Sequence, residues 1–318
     1  GERGRSMRVC ATHGDTFLTF DFEKEYKKEV VDYMIREYGE GKVPNPDVFC
    51  NKYVKFGVFL KKAREMGADF IATGHYATRY EYTNHANETN GYELRESKDK
   101  EKDQSYFLYT LGQEELKRIL FPVGGMTKPE VRKLAVKFGL PTAAKKDSQG
   151  LCFIGKVDMK DFLSHYIEAK PGDVLNTKDE TIGKHDGAFF YTIGQRHGFT
   201  ITKKTAEDPR FFVISKDLEK NTIVVASKKL ESQKIETIKE ILVKDLHFIS
   251  GKPKFPLQIS VRIRYRQEKQ NCRVEKKSEG HHILFDTPQN GISVGQSAVL
   301  YEKDLCIGGG IIERAIVQ

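Results

Sequence analysis

The hydrophobic periodicity of the chain changes at Pro171-Gly172, and that change limits what it can fold into. Before this point apolar residues recur at helical spacing between short β-branched runs. After it they fall into short strands divided by turn residues. Residues 16–22 (Thr-Phe-Leu-Thr-Phe-Asp-Phe) read as a buried strand. Residues 23–39 read as an amphipathic helix carrying Tyr26, Val30, Ile35 and Tyr38, broken by the Gly41–Pro46 stretch. A second helix runs from Asp47 to Met66 and leads into Phe70-Ile71-Ala72-Thr73-Gly74-His75, a short strand. Strand, helix, strand is the signature of an α/β unit with a parallel sheet.

Residues 76–82 and 92–97 are expected to pair as a hairpin around His85–Gly91, and 104–111 and 113–120 to be helical. Thr127-Lys128-Pro129-Glu130 is a capping box with proline in the first turn; its helix runs to Phe138 and stops at Gly139. The last helix is expected over 158–168. Beyond it, strands are expected at 211–215, 221–226, 239–247, 257–266, 271–276, 281–286, 296–301 and 305–312. The expected architecture is α/β plus β: a nucleotide-binding and catalytic domain over 1–157, a small central linker domain over 158–232, and a C-terminal β-barrel over 233–318.

A chain of 318 residues, 38% hydrophobic and 31% charged, has ample material for two or three domains. No apolar run is long enough to cross a bilayer and no signal peptide opens the chain, so no membrane role is expected. The five cysteines, Cys10, Cys50, Cys152, Cys272 and Cys306, are odd in number and form no CxxC pair. That pattern fits a reducing cytoplasm and disfavours disulfide frameworks, zinc ribbons and cysteine-ligated clusters, so no protein-bound metal is expected. A net charge of +8 suits nucleic acid or nucleotide.

Two cysteines stand in settings that suit chemistry. Cys50 closes Pro44-Asn45-Pro46-Asp47-Val48-Phe49-Cys50, at the start of a helix whose unpaired N–H groups favour a thiolate. Lys52 and Lys55 add positive charge, and Asp47, three residues before Cys50, shares its face as a candidate acid/base. The alternative is that Asp47 caps the helix and Cys50 is a small core residue. Cys152 follows Asp147-Ser148-Gln149-Gly150, a loop in which a thiol is accessible. Cys10, Cys272 and Cys306 read as core. Arg262, Arg264 and Arg266 alternate with Tyr265 between them; on a strand, three guanidiniums would share one face suited to phosphates.

These segments occur in a fixed order. Pro44-Asn45-Pro46-Asp47-x-x-Cys50-Asn51-Lys52 is followed by Ala72-Thr73-Gly74-His75-Tyr76 and Lys102-Asp103-Gln104-Ser105-Tyr106-Phe107-Leu108. Then come Lys146-Asp147-Ser148-x-Gly150-x-Cys152-Phe153-Ile154-Gly155, Thr192-Ile193-Gly194-Gln195-Arg196, Arg264-Tyr265-Arg266-Gln267 and Gly295-Gln296-Ser297-Ala298-Val299. The set closely resembles the bacterial tRNA-specific 2-thiouridylase (MnmA, TrmU) family, from about Met7 to Glu313.

The resemblance implies a nucleotide-binding domain of the PP-loop ATPase type and a tRNA-uridine 2-sulfurtransferase activity. ATP, with Mg2+ expected, would activate O2 of the wobble uridine as an adenylate. Cys152 would carry persulfide sulfur from a relay protein. Cys50 would release it, leaving a Cys50–Cys152 disulfide. Asp47 would be the acid/base, and Asn45, Pro46 and Asp47 would surround the flipped-out base. Gly74 would contact ATP and His75 would approach the tRNA. Lys102, Asp103, Gln104, Arg264, Tyr265 and Gln296 match tRNA-contacting segments, and the anticodon loop is the kind of RNA that sequence-specific proteins read.

One family feature is missing. Members open with a strand and a Ser-Gly-Gly-x-Asp-Ser loop that cradles the ATP pyrophosphate. Here Gly1-Glu2-Arg3-Gly4-Arg5-Ser6-Met7 matches sequence downstream of it. The expectation is an incomplete sequence of an ordinary enzyme. The alternative is a true truncation that binds tRNA without catalysis.

Overall fold

The computed structural model describes residues 2–84, 89–145, 159–202, 211–227 and 238–316. Cys152 and its neighbours from 146 to 158 lie outside the described residues.

The first part is led by helices. After α1 (Glu2–His13), a helical run comprises α2 (Glu23–Tyr26), a π turn (Lys27–Val31) and α3 (Asp32–Gly39). A second run comprises α4 (Pro46–Phe49), a π segment (Cys50–Phe59) and α5 (Leu60–Glu65). Proline opens α4 because its missing N–H costs nothing there and its φ suits a helix. Both expected helices are present, and they pack through Val30, Cys50 and Val54. Residues 16–22, expected as a buried strand, form no strand, and Leu18 is 54% exposed. A strand needs a partner ladder for its backbone groups, and no described strand lies beside this one. Cys10 is likewise half-exposed on α1 rather than core.

The parallel pair is β1 (Ile71–Ala72) with β4 (Ile119–Leu120). The helix expected over 113–120 is therefore corrected: only α6 (Gln113–Leu116) is helical, and Ile119 turns inward against β1 with Leu116 in the same core. Between them, β2 (Ala77–Asn84) and β3 (Thr89–Glu96) form the expected hairpin. The stretch 104–111, also expected as a helix, holds only a 3-10 turn over Ser105–Phe107. α7 (Lys128–Lys137) starts at Thr127, whose hydroxyl accepts from Glu130 N while the Glu130 carboxylate accepts from Thr127 N, and Gly139 follows at φ +63°. α8 (Met159–Ser164) is shorter than expected.

The middle part is a five-stranded sheet in the order β7-β6-β5-β9-β8. Its strands are β5 (Gly172–Leu175), β6 (Thr181–His185), β7 (Thr200–Ile201), β8 (Phe211–Asp217) and β9 (Thr222–Ser227). Val174, Ile223, Val225 and Tyr191 fill its core. The first three strands are short and interrupted by glycine or polar residues, and their pattern is weak in the sequence.

The last part is a closed antiparallel barrel of β10 (Ile238–Phe248), β11 (Leu257–Arg262), β12 (Gln270–Lys277), β13 (Gly280–Gln289), β14 (Ser297–Glu302) and β15 (Leu305–Ile316). Strands run β10-β13-β12-β11-β14-β15, and β15 returns to β10. Closure leaves no ladder edge unpaired. Alternate residues such as Ile241, Val243, Val261, Cys272, Val274 and Leu300 fill the interior. β15 can pair with β14, β10 and β3 because Gly308, Gly309 and Gly310 admit close neighbours: a Cβ on Gly309 would lie 2.7 Å from Ala298 O, and one on Gly310 2.6 Å from Lys244 O. Cys272 and Cys306 are buried, as expected, and burial raises both thiol pKa values, that of Cys272 to about 12.

Barrel and first part share one core. Val299, Tyr301 and Cys306 from the barrel pack with Phe56, Leu94, Tyr106 and Leu111. The β2–β3 hairpin also extends the barrel sheet, pairing Leu94 with Cys306 and Arg95 with Leu305. Among the described residues, no helix is long and apolar enough to cross a membrane.

Candidate functional site

Most of the candidate residues gather where the second helical run meets the barrel. The Pro44-Asn45-Pro46 loop is held from the barrel side. Gln296 Nε2 donates to Val43 O at 2.9 Å and to Pro44 O at 3.2 Å. Val43 N donates to Val294 O at 2.8 Å. Gly295 permits this approach, since a Cβ there would sit 3.0 Å from Val43 N. Asn45 is buried beneath this loop, and the Tyr106 hydroxyl donates to Ser297 O at 2.9 Å.

Asp47 is half-buried in the first turn of α4, and Cys50 lies one turn further on. The sequence reading placed Cys50 within the first turn; it is the fifth residue of the run, where the dipole effect has declined. Its thiol is fully buried beside Val30 and Val54. Lys55 Nζ lies 3.4 Å from His75 Nε2. Lys52 Nζ stands 4.9 Å from the centre of the Tyr53 ring.

Gly74 is exposed at the end of β1, and a Cβ built on it would meet nothing within 4 Å. His75 is buried, with Nδ1 2.8 Å from Thr73 Oγ1 and its ring edge-on to Phe121. Burial, reinforced by Lys55, lowers its pKa to about 3, so His75 is neutral at physiological pH.

The loop with Lys102, Asp103 and Gln104 is tied at both ends. Gln104 N donates to Tyr76 O at 2.7 Å, and Gln104 Oε1 accepts from Tyr76 N at 3.0 Å. Asp103 is buried and accepts from Ser97 N, Ser105 Oγ and Arg262. Asp103 therefore shapes the loop from beneath, while Lys102 is half-exposed.

The expected arginine stripe does not form. β11 ends at Arg262, and Arg266 has φ +63° in the turn that follows, so alternation along a strand is lost. Arg262 points inward to Glu96 at 2.8 Å and Asp103 at 3.0 Å. Arg264 is exposed and donates to Gly291 O. Tyr265 packs 4.5 Å from Phe107, ring centre to ring centre, and the Arg266 guanidinium lies 5.1 Å from the Tyr265 ring centre. Sequence reasoning missed the structural parts of Arg262 and Tyr106; the signal for Tyr106 was its place inside the Lys102–Leu108 motif.

Among the described residues, no group of three or more His, Cys, Asp or Glu is placed to hold a metal ion. A groove of about 560 Å³ lies elsewhere, lined by Leu60, Arg64, Glu115 and Arg118 among others, and contains none of the candidate residues. The convergence of sequence motifs, rather than concavity, marks the site.

Comparison with known proteins follows the same three-part division. Residues 3–156 match the family profile described as tRNA methyl transferase HUP domain. Residues 160–227 match the tRNA methyl transferase PRC-barrel domain, and residues 238–312 the aminomethyltransferase beta-barrel domain. The tRNA-specific 2-thiouridylase MnmA of Pseudomonas aeruginosa (strain UCBPP-PA14) is 41% identical over 313 residues, covering 98% of this chain and 81% of that protein. The chain belongs to the tRNA-specific 2-thiouridylase MnmA family. Its MnmA relatives from Pseudomonas syringae pv. syringae (strain B728a) and Pseudomonas putida (strain GB-1) are each 42% identical, with the same coverage. Membership in the MnmA family accords with the motif order along the chain and with a HUP-type domain joined to a closed β-barrel.

Proposed function

We propose that this protein is a tRNA-uridine 2-sulfurtransferase, catalysing ATP-dependent 2-thiolation of the wobble uridine in tRNA. The observation that carries the reading is the Asn45-Pro46-Asp47 segment, held at its start by Gln296 bonds to Val43 and Pro44, in a chain of this family. The domain limits that go with it are 1–157, 158–232 and 233–318, the first serving nucleotide and chemistry.

Uridine O2 is a poor leaving group and must first become a phosphate ester. ATP is the co-substrate: O2 attacks its α-phosphate and pyrophosphate departs, with Mg2+ accompanying the nucleotide. Gly74 offers open backbone against which ATP can lie. A persulfide on Cys152, loaded by a sulfur-relay carrier protein, then attacks C2. Cys50 attacks the Cys152 sulfur and breaks the S–S bond, AMP leaves with the former O2, and a Cys50–Cys152 disulfide remains for an external thiol to reduce. Asp47 moves the proton. Cys50 is fully buried, so this step requires its thiol to be uncovered.

Pro46 and Asn45 line the base site. Lys102, Arg264 and Tyr265 present charge and a ring to the anticodon loop, with Gln104, Asp103, His75 and Gln296 holding the loops that carry them. The setting is cytoplasmic. AMP release that depends on both ATP and tRNA tests the assignment; a non-catalytic tRNA-binding protein would release none.

A further inference from the structure

Lys55 is a half-buried cation that is anchored without being neutralised. Its Nζ lies 3.4 Å from His75 Nε2. An ammonium has donors and no acceptor, so Nε2 must accept. Nδ1 then keeps the ring proton and donates it to Thr73 Oγ1 at 2.8 Å. Both ring nitrogens are engaged, and the imidazole is held at 8% exposure against Phe56 and Phe121. Burial and the facing ammonium keep it uncharged at physiological pH. Among the described residues, no carboxylate pairs with Lys55. Two other half-buried lysines are compensated: Lys42 meets Glu37 and Glu40, and Lys269 meets Glu96. His75 therefore aims the Lys55 ammonium and leaves its charge intact. A cation partly withdrawn from water also acts more strongly on an anion than one in the open.

The place of this cation suggests its use. Lys55 rises from the helical run that carries Asp47 and Cys50, and it meets the end of β1 where His75 follows Gly74. It stands where the run bearing the reacting residues meets the backbone assigned to ATP. We propose that Lys55 is a phosphate-binding residue, whose ammonium takes a phosphate oxygen of the nucleotide lying along Gly74. The inference rests on the reading that ATP binds there. It adds a counter-charge for the nucleotide, supplied by the helical run and aimed by a neutral imidazole. A phosphate of the tRNA backbone offers the same chemistry, and the test separates the two sources.

The test uses the full-length protein and isothermal titration with a non-hydrolysable ATP analogue, with adenosine and with unmodified tRNA. Lys55→Met should weaken the analogue by about tenfold to a hundredfold, the scale of a hydrogen bond to a charged group. Adenosine and tRNA should bind Lys55→Met as they bind wild type. Lys55→Arg should recover most of the analogue's affinity, because the guanidinium keeps the charge. Unchanged analogue affinity in Lys55→Met overturns the inference. An equal loss for adenosine also overturns it, since that marks a structural role. A loss confined to tRNA overturns it too and gives the ammonium to an RNA phosphate. Wild-type protein that fails to bind the analogue strikes the ATP reading itself, and the inference with it. Should Lys55→Met fold poorly, amine labelling of the wild type decides. Acetylation of Lys55, read by peptide mass spectrometry, should slow when the analogue is bound, and a rate unchanged by the analogue overturns the inference.

Discussion

Arg262 Nη1 lies 3.0 Å from Asp103 Oδ2, joining barrel strand β11 to the loop that carries Lys102 and Gln104. Arg262 also reaches Glu96 at 2.8 Å, and Lys269 and Lys100 complete the charge balance around that carboxylate. Burial acts to raise the Glu96 pKa, but Lys100, Lys269 and Arg262 together hold it below its ordinary value. The cluster is a strut inside the protein, and it turns a residue that reads as an RNA contact into one that presents its neighbours.

Replacing Arg262 by Met should therefore act on stability. It leaves Glu96 and Asp103 buried with less charge compensation, a change that costs about 3–5 kcal/mol. Urea denaturation should show the loss. Unchanged stability with weakened tRNA binding would restore Arg262 to the RNA-contacting surface.

Gln296→Ala should act on turnover. It removes both bonds to Val43 and Pro44, which lets the Asn45-Pro46-Asp47 loop drift. A loss of about 1–2 kcal/mol of positioning corresponds to roughly a tenfold fall in kcat. Single-turnover thiolation kinetics check this, with a melting temperature close to wild type as the companion result.

His75 gives a pH signature. Its folded pKa is lowered to about 3 from 6.5, so the unfolded chain binds the extra proton first. Its contribution is present above pH 6.5 and is lost as pH falls from 6.5 toward 3, at up to about 1.4 kcal/mol per pH unit. Denaturation across pH 4–7 should show a shallower acid limb in His75→Gln than in wild type.

Cys50 should be protected from reagents. With no exposure it should react with iodoacetamide far more slowly than the half-exposed Cys10, as peptide mapping by mass spectrometry would show. ATP and tRNA together should speed its labelling, because sulfur release requires the thiol to be uncovered.

Local signals were readable where they had a local cause. The Thr127 capping box, the two long helical runs, the β2–β3 hairpin and the barrel strands follow from neighbouring residues and from alternation. What failed depended on partners far along the chain. Residues 16–22 have a strand's composition without a ladder, and Ile119 leaves the helical pattern because β1 pairs with it. Arg262 alternates with Arg264 in sequence, but a turn follows it and two buried carboxylates claim it. The motifs identified which residues matter; only packing separated those that face a substrate from those that hold the loops.

The most direct test is thiolation itself. Unmodified tRNA, ATP, a persulfide source and the full-length protein are combined, and the digested tRNA is read by mass spectrometry. The account predicts 2-thiouridine at the wobble position, with one AMP released per thiol formed and none with Cys152→Ser. Wild-type protein that binds tRNA yet yields neither 2-thiouridine nor AMP would contradict it.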